Sequence, residues 1–153
     1  MPSWTGGSPD CAAPFWKIDM NSLHIARFTV AYWCVFAMAL MPVACAVLAK
    51  RGGFRAADNH DPRGWAARQT DWRARALAAQ SNTFECLPFF IGAVIVAHQL
   101  GAAQTLLDLL ALAFVMLRMF YVLMYVSDMP AIRSAVWLGA FAVNTAIFFL
   151  GYR

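Results

Sequence analysis

Charge is scarce in this chain. Only 13% of its residues are Asp, Glu, Lys or Arg, about half the share usual in soluble domains. Lysine is rarer still, at Lys17 and Lys50 alone, and arginine supplies the remaining positive charge. With abundant alanine, that bias is common in GC-rich bacteria. Cys11, Cys34, Cys45 and Cys86 form no CxxC or other metal-ligand spacing. This argues against a zinc site or a disulfide framework, and Cys34, Cys45 and Cys86 read as small hydrophobes in apolar runs. Residues 1–22 carry Gly6, Gly7, Pro9 and Pro14 and lack a basic leading segment, so they read as a flexible tail and not as a secretory signal.

Hydrocarbon takes the place of charge. The apolar fraction is 61% and the mean hydropathy +0.57, and four runs are long enough to cross a bilayer of roughly 30 Å. The first covers about residues 23–49 and contains Pro42, which predicts a kink. The second begins near Thr70 or Asp71, either of which could cap it, and runs to about residue 100 through Pro88. The third covers about 105–126 and the fourth about 130–152. Ser127-Asp128-Met129-Pro130 is expected to cap the fourth span and open it with a first-turn proline. Residues 54–70 read as a loop. The predicted fold is all-α: one integral-membrane four-helix bundle over residues 23–153.

The positive charge has a place. Lys50, Arg51, Arg55, Arg63, Arg68, Arg73 and Arg75 cluster after the first span. Such clustering marks a cytoplasmic loop and attraction to anionic lipid, and it argues against a nucleic-acid surface. The termini then lie away from the cytoplasm, and the predicted location is a bacterial inner membrane.

Polar groups inside the spans fall on stripes. Arg75, Asn82 and Glu85 stand at i, i+7 and i+10, on one face of the second helix, with Gln80 at the same changeover from basic to apolar sequence. Arg118, Tyr121 and Tyr125 stand at i, i+3 and i+7 on the third. Polar side chains at that depth are costly unless they face protein or a wet cavity. With Arg133 at the start of the fourth helix they predict a polar pocket for a small anionic or zwitterionic ligand. Each residue has a plainer reading. Asn82 and Glu85 could be inter-helix hydrogen bonds, Arg118 could pair with Glu85, and the tyrosines could be interfacial. Asp108 reads as a cap or boundary residue.

The run RALAAQSNTFECLPFF, with Arg75, Gln80, Asn82, Glu85 and Pro88 in register, resembles the central motif of the MAPEG family, the membrane-associated proteins of eicosanoid and glutathione metabolism. Arg118, Tyr121 and Tyr125 match its third-helix stripe, and PAIRS at 130–134 resembles the start of its fourth helix. The resemblance implies a homotrimer that binds glutathione as substrate between subunits near the cytoplasmic face. It assigns Asn82, Glu85, Arg118, Tyr121 and Tyr125 to the peptide, Arg133 to the sulfur, and Lys50 or Arg51 to the basic end of the first helix. Glutathione-using members commonly have an arginine where this chain has Ala78, with Arg75 or Arg73 as the nearest substitutes. Two functions follow: a glutathione-dependent transferase or peroxidase acting on lipophilic electrophiles, or a non-catalytic membrane trimer that binds a lipid or partner through the same pocket.

Overall fold

The computed structural model describes residues 28–152. The predicted tail over 1–22 and the first residues of the predicted first span lie outside the described residues. Four long helices carry the fold: α1 (Val30–Lys50), α3 (Asp71–Gln99), α4 (Gln104–Val126) and α5 (Pro130–Phe149), with a six-residue α2 (Pro62–Ala67) between the first two. All four are apolar and long enough to cross a membrane. At 1.5 Å per residue α1 reaches about 31 Å, one bilayer core, whereas α3 reaches about 43 Å. The extra length of α3 is its basic first two turns. Pro42 and Pro88 sit inside α1 and α3 without interrupting either helix.

A repeat of three and four residues decides which face of each helix meets the others. On α3 the seam runs Ala76, Ala79, Thr83, Cys86, Phe90, Ala93, Ala97, all buried but the half-buried Cys86. The buried residues of α4 are Leu107, Ala111, Phe114, Arg118 and Tyr121, and α5 buries Ala140, Asn144 and Ile147. Alanine dominates because helices in lipid gain nothing from hiding apolar surface and must gain from close packing. The large apolar side chains consequently face outward: Trp33, Phe36, Leu40, Val43 and Val47 are exposed along α1. Phe90 and Phe114 stack at the centre, 4.3 Å between ring centroids.

The turns are built from local chemistry. Gly101 takes φ +69, so the Ala102 N–H reaches back to the Ala97 carbonyl and the Gly101 N–H to that of His98, a Schellman end for α3. The α4–α5 turn repeats the device with Asp128 at φ 59, the Met129 N–H donating to the Met124 carbonyl and the Asp128 N–H to that of Tyr125. Ser127 and Asp128 thus finish α4 and do not cap α5, whose N-cap Met129 makes no side-chain cap. Pro130 does open α5 as expected. Thr70 holds the N-cap position of α3 without a capping bond, its hydroxyl donating instead to Asp71. The segment expected as a loop is partly helical: Ala56–His60 forms a 3-10 turn, and α2 is capped by the Asp61 carboxylate on the Gly64 N–H.

Asp108 caps across helices. Its Oδ1 accepts the Ala31 N–H at 2.8 Å and the Gln104 side chain at 2.8 Å, placing a carboxylate on the positive end of α1. Beside it His98 stacks on Tyr32 and bonds Thr29. Asp108→Ala should destabilise the protein by about 1–2 kcal/mol, with Asp108→Asn intermediate; denaturant unfolding in mild detergent measures both. Equal stability of wild type and Asp108→Ala would remove the cap from the account.

Candidate functional site

The site grows from an arginine that the heptad seam of α4 forces inside. Arg118 is 1% exposed, in a seam position that Phe114 and Tyr121 occupy one turn to either side. A guanidinium so placed needs acceptors. Its Nη2 donates to the Asn82 Oδ1 at 3.0 Å and the Thr83 Oγ1 at 3.2 Å, and the group lies 4.3 Å over the Tyr121 ring. Thr83 is itself fixed, its hydroxyl donating to the Ala79 carbonyl at 2.7 Å. Asn82 passes the polarity outward by donating from Nδ2 to the Glu85 carboxylate at 3.3 Å. No direct Arg118–Glu85 ion pair forms; Asn82 stands between them as a relay.

Toward the α4–α5 turn the same elements open a cavity of about 400 Å³, lined by Asn82, Tyr121, Tyr125, Arg133, Ser134, Trp137 and Leu138. Arg133, in the first turn of α5, lies 4.4 Å over the Tyr125 ring, and Tyr121 meets Tyr125 edge-on at 5.6 Å. A second cavity of about 160 Å³ adjoins it deeper between α3, α4 and α5, sharing Asn82 and Trp137 and reaching Glu85, Arg118 and Asn144. Together they bring cationic donors, phenols, an amide and a carboxylate to one end of the bundle.

The remaining candidates stand elsewhere. Arg75 lines neither cavity: its Nε donates to the Val126 carbonyl at 3.1 Å and its Nη1 lies 3.7 Å from the Asp128 carboxylate. It ties α3 to the turn from which α5 departs. Gln80 is half-buried on α3 and lines neither cavity. Arg51, exposed, ends α1, and its carbonyl accepts from Arg73. Lys50 lies over the Phe54 ring. Thr83, Trp137 and Asn144 are among the site residues that carry no role in the sequence reading. For Trp137 and Asn144 the signal is positional, since Arg133, Trp137, Ala140, Asn144 and Ile147 continue one three-and-four seam along α5. Thr83 lies on the corresponding seam of α3, between Ala79 and Cys86.

A family model described as the MAPEG family matches residues 30–152. The chain belongs to the MAPEG family. The match takes in all four long helices and every cavity residue named above. Comparison with curated proteins and with solved structures finds no match. In MAPEG terms this chain is a multi-pass membrane protein, and its polar cavity residues come together from α3, α4 and α5.

Arg75 and Asp128 form an exposed pair, Asp128 being 70% accessible, so its own strength should be small. A double-mutant cycle with Arg75→Ala and Asp128→Ala should give a coupling below about 1 kcal/mol in detergent unfolding. Arg75→Ala alone should cost more than the coupling, because it also frees the Val126 carbonyl. A single variant no costlier than the coupling would contradict the second role.

Proposed function

We propose that this MAPEG protein is a glutathione-dependent transferase or peroxidase acting on lipophilic electrophiles, assembled as a homotrimer in a bacterial inner membrane. The observation that carries the reading is Arg133 at the N-terminus of α5, facing the same cavity as Asn82, Tyr121 and Tyr125. About 400 Å³ falls within the range of small-molecule sites, and its donors suit a peptide with two carboxylates and an amine. The Tyr125 face holds the Arg133 guanidinium, and the positive end of α5 adds its own attraction for a negative charge beside it.

A thiol attacks only as thiolate. Lowering a thiol pKa by two units takes about 3 kcal/mol of differential stabilisation, within reach of one half-buried guanidinium beside a helix N-terminus. The thiolate then adds to an electrophile dissolved in the bilayer, or attacks the outer oxygen of a lipid hydroperoxide. That attack breaks the O–O bond to release the alcohol and a sulfenic acid, which a second glutathione converts to the disulfide and water. Arg118 and Asn82 orient the peptide, and Arg75 positions Arg133 through the α4–α5 turn. Gln80 and Arg51 line neither cavity of their own subunit, and the proposal assigns them to the neighbouring subunit's pocket in the trimer. The exposed Glu85 on α3 supports that assembly, since a carboxylate at that depth calls for protein cover. The basic cluster after α1 supports a cavity at the cytoplasmic face with the termini opposite it.

Ala78 supports the competing reading, a trimer that binds a lipid or partner without turnover, because it removes one cationic anchor. Glutathione calorimetry on the detergent-purified protein decides between them. Binding is expected to weaken on Asn82→Ala by about tenfold or more and to tighten on Ala78→Arg. Absence of binding in both wild type and Ala78→Arg would refute the glutathione reading. Native mass spectrometry is expected to show three chains, and a lone chain in mild detergent would refute the trimer.

A further inference from the structure

The deeper cavity holds two polar groups that the protein itself leaves unanswered. Asn144 Oδ1 and Arg118 Nε are buried without a hydrogen-bond partner among the described residues. Both residues are 1% exposed, and both line this cavity. Arg118 Nη2 is already engaged by Asn82 and Thr83, so Nε is the spare donor and Asn144 supplies the spare acceptor. Unsatisfied groups at that depth each cost about 1–3 kcal/mol, and more where lipid excludes water. Asn144 sits about 16 Å along α5 from Arg133, well away from the place where that residue would hold a sulfur.

Aromatic rings supply half of the remaining lining, with Asn82, Glu85, Cys86 and Ala140 completing it. The rings are Phe89, Phe114, Trp137 and Phe141, with Trp137 and Phe141 stacked at 5.5 Å and 8° and Phe89 tilted against Phe141 at 6.0 Å. The volume is about 160 Å³. A dry cavity of about 150 Å³ in an engineered core takes one benzene molecule, so this one is the size of a single six-membered ring. Apolar walls want the ring; the two orphans want a group that donates and accepts at once. A hydroxyl does both.

We propose that this cavity is a binding site for a hydroxylated aromatic ring, a phenol, whose hydroxyl donates to Asn144 Oδ1 and accepts from Arg118 Nε–H. A phenol is electron-rich and is no electrophile for a thiolate, so the site is a ligand site apart from the chemistry proposed above, and the binding stands without that reading. Ala140, 2% exposed, lines the cavity and sets its size, since a larger side chain there fills the space.

Fluorine NMR of 4-fluorophenol and of fluorobenzene with the detergent-purified protein, each read against micelles alone, tests the site without glutathione. Saturable binding of 4-fluorophenol at one per chain is expected, displaced by unlabelled phenol. Fluorobenzene should bind about tenfold more weakly. Asn144→Leu should weaken 4-fluorophenol by a similar factor without weakening fluorobenzene, and Ala140→Leu should abolish both while thermal unfolding confirms a folded protein. Three results would overturn the proposal: no saturable fluorophenol signal, which would leave the cavity to water; equal affinity for the two probes; or an unchanged fluorophenol affinity in Asn144→Leu. None of them bears on glutathione, so the two readings fail separately.

Discussion

A charged group buried in a membrane bundle sets the terms for everything around it. Insertion of an arginine at mid-bilayer costs about 2.5–3.5 kcal/mol even on the mildest scales. Arg118 stays inside because Asn82, Thr83 and the face of Tyr121 receive it. Those partners come from α3 and from α4 itself, so the guanidinium fixes the rotation and register of one helix against the other. A one-residue slip of α3 would withdraw Asn82 and Thr83 together and strand the charge. Alanines along the seam allow the approach, and the arginine selects the register among the many that alanines alone would accept.

Other features of the site follow from that register. Once Asn82 faces Arg118, its amide is turned toward Glu85, and Arg75, two turns before Asn82, arrives beside the end of α4. Arg75 then holds the turn in which Asp128 takes a left-handed backbone that glycine would adopt without cost. That turn sets where α5 begins, and with it the position of Arg133 over Tyr125. The chain of dependence runs from a buried charge to a helix N-terminus.

Much of this was legible from residue spacing. The four spans, the first-turn Pro130, and the stripes carrying Asn82 and Glu85 or Arg118, Tyr121 and Tyr125 are periodic features, and periodicity needs only the sequence. The family match over residues 30–152 agrees with the motif resemblance. What escaped depends on contacts between distant segments. Asp108 and Ala31 are far apart in the chain, and nothing local tells an acidic residue which helix end it will cap. Asn144 is a lone amide in an apolar run until three helices close around it. The Arg118–Glu85 pair, one of the readings open from the sequence, gave way to an asparagine relay, because reach along a helix does not fix which acceptor is nearer. The α2 helix is different. Asp61-Pro62 is a local start signal, masked by the mixed composition around it.

The role proposed for Arg133 and the start of α5 is to turn a bound thiol into a thiolate. Ultraviolet difference absorbance of glutathione on the purified protein, titrated against pH, reads that ionisation apart from affinity. The account predicts a bound thiol that ionises about two pH units below a free one, with most of the shift lost in Arg133→Ala. The same thiol pKa in wild type and Arg133→Ala would contradict it.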